Sequence, residues 1–358
     1  MTLRLLVMVG FAGLSTAAPP RFTQHIVQRF RNENVNGFVL EGRTLVTWGE
    51  RLLWRSLPEG NLREIRGRGR AFSEGGCLLD VNGDGFPDVV VNEGGPGRAL
   101  VWFDSRSSVR HVIDSGLDAP DMIPATLFGR RGVLLIHKRI QLRFYEVPSQ
   151  PESPWSYQEV YSFYSPSRQG GLRMADVDGD GMPDILAGNY WVRSPKSFEM
   201  PWRLFAIEPW NEEPGSAMLR LIYGPLTGSA PELLITQREI APARLSRFEK
   251  PADPRQLWIE HRIESVPDLD EPAVLDVADF DVDGHPDILV AERAGKCRLM
   301  ILRNDGTGAF TPLVIANGTP MIFGQASDID GDGRPDIVTL RGDAISWWQN
   351  QPPPPETR

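Results

Sequence analysis

Two cysteines in 358 residues are too few for a disulfide framework. Cys77 and Cys297 fall in different repeats of the alignment given below, so both are expected to be free and buried. Histidine is also scarce. The five that are present show no paired spacing of the kind that binds zinc. No G-x-S-x-G elbow occurs, so the commonest serine-hydrolase signature is missing. No long stretch keeps a helical period. The run Leu5 to Leu14 is too short to cross a bilayer, which takes roughly 20 apolar residues, and no later segment does better. Positive charge is in deficit, with a net charge of −9. Nucleic acid and anionic membrane are therefore disfavoured as partners.

What is abundant is turn chemistry. Thirty-five glycines and 31 prolines are spread along the chain, which suits many tight turns better than long helices. The first 18 residues read as a secretory signal: Arg4, then the apolar run, then the small residues Ser15, Thr16, Ala17 and Ala18. The mature chain is thus expected to be secreted or periplasmic. Residues 351–358 form a proline-rich tail expected to be disordered.

Between these ends, four segments align without gaps. They begin at Asp80, Asp176, Asp279 and Asp328 and share the form D-x-[DN]-x-D-G-x-P-D. An apolar run stands on either side of each, so each loop joins two strands. The first aspartates lie 96, 103 and 49 residues apart. The last interval is the unit, and the others are close to twice it. A degenerate repeat is visible in each long gap, at Ala125 to Ile136 and at Leu219 to Thr236, and a third lies upstream at Gly37 to Trp48. Seven repeats result, four with the acidic loop.

Each repeat holds four short strands, the signature of a β-propeller. A tryptophan five residues before a β-branched residue marks three of the fourth strands, at Trp155, Trp202 and Trp258. These indoles are expected to pack between blades. The last repeat stops at its third strand, Ala344 to Trp348, while Phe22 to Val27 resembles a fourth strand with no repeat of its own. The expected fold is all-β: a seven-bladed β-propeller of four-stranded blades over residues 19–350, closed by the N-terminal strand.

The loops carry oxygen ligands at positions 1, 3, 5 and 9. These are Asp80, Asn82, Asp84 and Asp88; Asp176, Asp178, Asp180 and Asp184; Asp279, Asp281, Asp283 and Asp287; and Asp328, Asp330, Asp332 and Asp336. Glycine at position 6 permits a turn with φ > 0. Calcium takes six to eight oxygens in a flexible shell, whereas magnesium resists a dense protein cage. An EF-hand is excluded, because its twelfth-position glutamate is replaced by Val91, Ala187, Val290 and Thr339 and the flanks are strands. About four calcium ions are expected. They would offset the fifteen carboxylates of the loops, outside which the chain is net positive.

These loops resemble the FG-GAP or VCBS repeats of integrin-α-type propellers. The third-strand segments Leu299 to Phe310 and Ile345 to Asn350 are similar to that family too. The resemblance spans roughly residues 20 to 350. It implies calcium on the first-to-second-strand loops. It leaves function open, since such propellers serve as adhesion modules, lectins and scaffolds, and some related ones are polysaccharide lyases or dehydratases.

A ligand surface is expected on the face opposite the acidic loops. There the turns after the second strands bring Asn92, Glu93, His137, Lys138, Asn189, Tyr190, Arg238, Glu292, Arg293 and Arg341, and a blade connection adds Arg168. No catalytic set emerges. The expected function is a non-catalytic, monomeric binding or scaffold module for an extracellular or periplasmic protein or glycan. The alternative is a sugar-active lyase or dehydratase on the same fold.

Overall fold

The computed structural model describes residues 19–31, 33–163, 171–208, 219–237, 242–341 and 343–352. The expected signal segment and all but the first two residues of the tail lie outside these. Every regular element among the described residues is a strand, and the strands form seven antiparallel four-stranded sheets. The strand order within blades 1 to 6 is sequential from the innermost strand outward. Their innermost strands are Val35–Glu41, Phe72–Leu79, Asp121–Leu127, Leu172–Ala175, Leu219–Pro225 and Pro272–Ala278. Blade 7 takes three strands from the C-terminal end, Met321–Ser327, Asp336–Arg341 and Ala344–Gln351, and its outermost from Arg21–Arg29. The closing pair is antiparallel, with Phe22 opposite Asn350 and Arg29 opposite Ala344. The first strands contact one another in sequence round the ring, and that of blade 7 meets blade 1.

Each blade is covered by a neighbour on both faces. Second and third strands are therefore buried on both sides, which is why they read as unbroken apolar runs such as Val89-Val90-Val91 and Leu299 to Leu302. Fourth strands are half exposed and correspondingly polar. Seven apolar clusters result among the described residues, each straddling two adjacent blades. Trp155, Trp202 and Trp258 are buried in three of them, as expected. The backbone N–H of Trp155 donates to Ile113 of the preceding blade, and that of Trp258 to Ile207. Cys77 is buried and free in the cluster between blades 2 and 3. Cys297 is free but only half buried, contrary to expectation, because it sits in the turn before a third strand rather than within one.

Inner strand edges have no further strand to pair with, so neighbouring side chains serve them. Asp276 accepts from the N–H of Ala326 at 2.8 Å and Gln325 accepts from that of Leu40 at 2.9 Å. Asp121 accepts from that of Gly171 at 2.7 Å. These contacts stitch blade 6 to 7, 7 to 1 and 3 to 4 around the channel.

Candidate metal loops and the two faces

The acidic loops leave the first strands on one face of the ring. In all four the first aspartate closes the turn on itself. Asp176 Oδ1 accepts from Gly179 and Asp180 at 2.8 and 3.1 Å, and its Oδ2 from Gly181 at 2.9 Å. The sixth residue, Gly85, Gly181, Gly284 or Gly333, has φ between +83° and +91°, where a side chain would be strained. The fifth aspartate accepts from the N–H two residues on, as Asp283 does from His285 at 2.8 Å.

The ninth aspartate has a different task. Asp88, Asp184, Asp287 and Asp336 are fully buried. One oxygen accepts from the second loop residue and the other from a residue at the end of the third strand. Asp287 receives Phe280 N at 3.0 Å and Asn304 N at 2.8 Å; Asp336 receives Ile329 N at 3.0 Å and Asn350 N at 2.7 Å. Burial raises the pKa of all four, to about 7 for Asp287 and about 6 for Asp184. The second residue, Val81, Val177, Phe280 or Ile329, buries its side chain in an interblade cluster. Its carbonyl accepts from the following blade in three cases: Val81 from Arg131 at 3.4 Å, Val177 from Lys250 at 2.7 Å and Phe280 from Asn350 at 2.8 Å. Each loop is thus a joint between blades as well as a turn.

Three of the loops gather carboxylates closely enough to hold a metal ion. Asp176, Asp178 and Asp184 offer oxygens within 4.8 Å of one another, as do Asp279, Asp281 and Asp287, and Asp328, Asp330 and Asp332. The donor set is all oxygen, which suits a hard cation. Two of the clusters hold a buried carboxylate oxygen with no hydrogen-bond donor, Asp178 Oδ1 and Asp281 Oδ1. An unmet buried carboxylate oxygen is costly, and a cation would meet it. In blade 2 the three aspartates Asp80, Asp84 and Asp88 do not gather so closely by themselves. There Asn82 stands where the others have aspartate, and its Nδ2 donates to Asp104 at 3.4 Å.

Sequence reasoning missed the third-strand partners. Arg193 donates to Asp178 and Asp180, Arg303 to Asp281 and Gln349 to Asp330. It also missed Glu232, which does the ninth aspartate's work in degenerate blade 5 by accepting from Thr227 N at 3.0 Å and pairing with Arg247. The recurring Ser or Asn at the end of each third strand, at Ser105, Ser194, Asn304 and Asn350, was the available signal.

The opposite face is less open than its polar sequence suggested. Asn92, Glu93, His137, Asn189 and Glu292 are buried. Glu93 is held by Arg110 through bonds of 2.9 and 2.8 Å, and Glu292 by Arg298 at 2.8 and 2.5 Å. Asn92 donates to Ser73 at 2.7 Å. His137 accepts from Asp118 N at 3.3 Å, and burial lowers its pKa. Tyr190 is half buried against Phe163, with ring centroids 5.6 Å apart. Arg293 pairs with Glu271 at 2.8 Å, and Arg341 is half buried. Lys138 is exposed, in a turn with φ of +50°. Arg168 and Arg238 lie outside the described residues.

Cavities adjoin the acidic-loop face beside blade 4. One of about 310 Å³ is lined by Asp180, Met182, Arg193, Lys196, Met200 and Arg203. Met182 is shared with a second of about 340 Å³ that reaches the Thr126–Gly129 turn of blade 3. Arg193 is shared with a third of about 340 Å³ that reaches Ala252–Arg255 of blade 5. Lys196 and Arg203 are exposed, and neither has a carboxylate partner among the described residues. Inside the ring, a cavity of about 160 Å³ is lined by Phe38, Arg173, Asp276, Phe323 and Gln325.

The FG-GAP-like repeat family matches residues 279–339, the span from the blade 6 loop into the second strand of blade 7. No curated protein matches the chain in sequence. Among solved structures, a chain in the crystal structure of the mitotic checkpoint complex superposes with a TM-score of 0.56 at 11% identity, covering 98% of this chain and 99% of that one. YCF48 from Cyanidioschyzon merolae gives 0.54 at 12% identity, covering 91% and 98%. At such identities the likeness is one of fold. With the repeat matched in blades 6 and 7, and its loop recurring in blades 2 and 4 of a seven-bladed ring, the chain is a seven-bladed β-propeller that carries FG-GAP-like repeats.

Proposed function

We propose that this is an exported, calcium-braced propeller that serves as a monomeric, non-catalytic binding module for protein or glycan. The observation that carries the metal reading is Asp281. It is 7% exposed, stands within a carboxylate cluster and has an oxygen that no donor meets. Calcium is the ion that such a flexible, all-oxygen, turn-borne set suits. Asp279, Asp281 and Asp287 would hold it in blade 6, the matching residues of blades 4 and 7 would hold two more, and Asp80, Asn82, Asp84 and Asp88 a fourth. Bound calcium supplies charge neutralisation and a rigid joint between blades. Export rests on the first 18 residues of the sequence alone.

For the ligand, the cavities beside blade 4 support the acidic-loop face. Apolar Met182 and Met200 sit there with the unpaired cations Lys196 and Arg203, a mixture suited to an acidic or hydroxyl-rich partner. The test is a glycan array and a capture assay run on three proteins: wild type, Lys196→Ala/Arg203→Ala, and Lys138→Ala/Arg293→Ala. Binding lost only in the first pair places the ligand on the acidic-loop face. Loss only in the second returns it to the opposite face, and no binding to any protein or glycan sinks the module reading. A second reading, turnover of an acidic sugar, has one observation behind it: exposed Arg173 shares the channel cavity with half-buried Asp276. Cleavage of uronate-containing polysaccharide that is lost in Arg173→Ala would establish it.

A further inference from the structure

One contact recurs beside all four acidic loops, made by three different chemistries. The third loop residue meets the residue just before the Ser or Asn that ends the third strand. In blade 6 this is Arg303, which places Nε 2.9 Å and Nη2 2.8 Å from the same oxygen, Asp281 Oδ2. In blade 4 it is Arg193, whose Nε lies 2.5 Å from Asp178 Oδ2 and whose Nη2 lies 3.0 Å from Asp180 Oδ2. In both blades the arginine occupies one oxygen and leaves Oδ1 buried and bare. In blade 7 the position is Gln349, a neutral amide that donates to Asp330 Oδ2 at 2.6 Å. In blade 2 acid and amide have changed places: Asp104 accepts from Asn82.

Two physical consequences follow. A donor fixed on Oδ2 holds the carboxylate in one rotamer, so its other oxygen stays with the cluster. A guanidinium also brings a permanent positive charge within a few ångströms of any cation held there, and like charges in a partly buried site repel strongly. An amide positions the carboxylate without that repulsion. Arg303 is 24% exposed, so solvent screens it only in part.

We infer that the third-strand residue beside each loop is a positioning residue that also sets how tightly the loop holds its metal. The sites are therefore graded. Blade 7, with Gln349, binds most tightly, and blades 4 and 6, with Arg193 and Arg303, bind less tightly by on the order of tenfold or more. When calcium is low, the arginines act as internal counter-ions that keep those two loops folded. Blade 7 has no arginine on its third loop residue, the guanidinium of Arg43 lying beside Gly331 instead, and so depends more on its ion. The inference rests on the reading of the loops as divalent-cation sites.

Native mass spectrometry of the full-length chain, at limiting and at saturating buffered calcium, separates the possibilities. Arg303→Gln keeps a donor but removes the charge, so it should raise the number of ions held at limiting calcium by one. Arg193→Gln/Arg303→Gln should raise it by two. Gln349→Arg should lower it by one while the saturating count stays at the wild-type value. Arg303→Ala loses the donor as well and should gain nothing, whereas a merely structural arginine would make glutamine and alanine equivalent. Should Arg303→Gln fail to fold, Gln349→Arg carries the test. Limiting-calcium counts that ignore both Arg303→Gln and Gln349→Arg overturn the grading. A wild-type chain that holds no ion even at saturation overturns the cation-site reading itself.

Discussion

At the scale of single residues, the ninth aspartates are the most exacting positions in the molecule. Each is buried, and each of its oxygens is already engaged by a backbone N–H. Burial holds Asp287 at about 7 and Asp184 at about 6, against an ordinary 3.8. A carboxyl whose pKa is raised by folding contributes stability that is fully present below its unfolded pKa and is lost as the pH climbs through the folded value. The calcium-free protein should therefore melt at a higher temperature as the pH is lowered from about 7.5 towards 5. Chelator should cost more melting temperature at the upper pH than at the lower, because protons replace the missing ion. Asp287→Asn cannot titrate, so a thermal melt series in chelator should show a shallower slope for that variant; an identical slope refutes the assignment. The aspartates themselves were legible because their spacing repeats. Arg193, Arg303 and Gln349 were not, because they reach the loops across a strand pairing from 13 to 22 residues away.

At the scale of elements, the decisive piece is the strand Arg21–Arg29. It pairs along its length with Ala344–Gln351 and presents Phe22 against Phe280 of blade 6, with ring centroids 6.2 Å apart. Removing it leaves the third strand of blade 7 as an open edge bearing exposed apolar side chains, the arrangement that invites edge-to-edge aggregation. Deletion of residues 22–30 should yield aggregates or a broad, non-cooperative urea transition; a monomer that still unfolds cooperatively would count against closure. Interblade tryptophans offer a milder perturbation. Trp258 is buried between blades 4 and 5, so Trp258→Ala should lose about 3–5 kcal/mol in urea titration. The tryptophan spacing pointed to this role, but which two blades each indole joins depends on the fold.

At the scale of the whole molecule, stability is shared round a ring of seven interblade clusters, and the acidic loops sit at the joints between them. A cation at each joint adds stability by mass action, about 2.7 kcal/mol for a site at a hundred times its Kd. Calorimetry should therefore show a melting temperature that rises with free calcium and falls with chelator, while magnesium at the same concentration gives a smaller shift. A melt indifferent to both ions would leave the loops as turns held by their own hydrogen bonds.

Repeat number, strand type, closure and the position of the acidic loops were all readable from the chain, because a repeated fold writes the same local pattern many times. Spacing, turn glycines and apolar runs are properties of short segments, and comparing one copy with the next reveals them. The polar residues of the opposite face could not be sorted in this way. Glu93 and Glu292 have the composition of a binding ring, yet Arg110 and Arg298 hold them inside it. The groove beside blade 4 is assembled from three blades, and its residues are adjacent only after the ring closes. Whether a charge faces solvent or a partner depends on burial and on distance in space, and only the tertiary structure decides these.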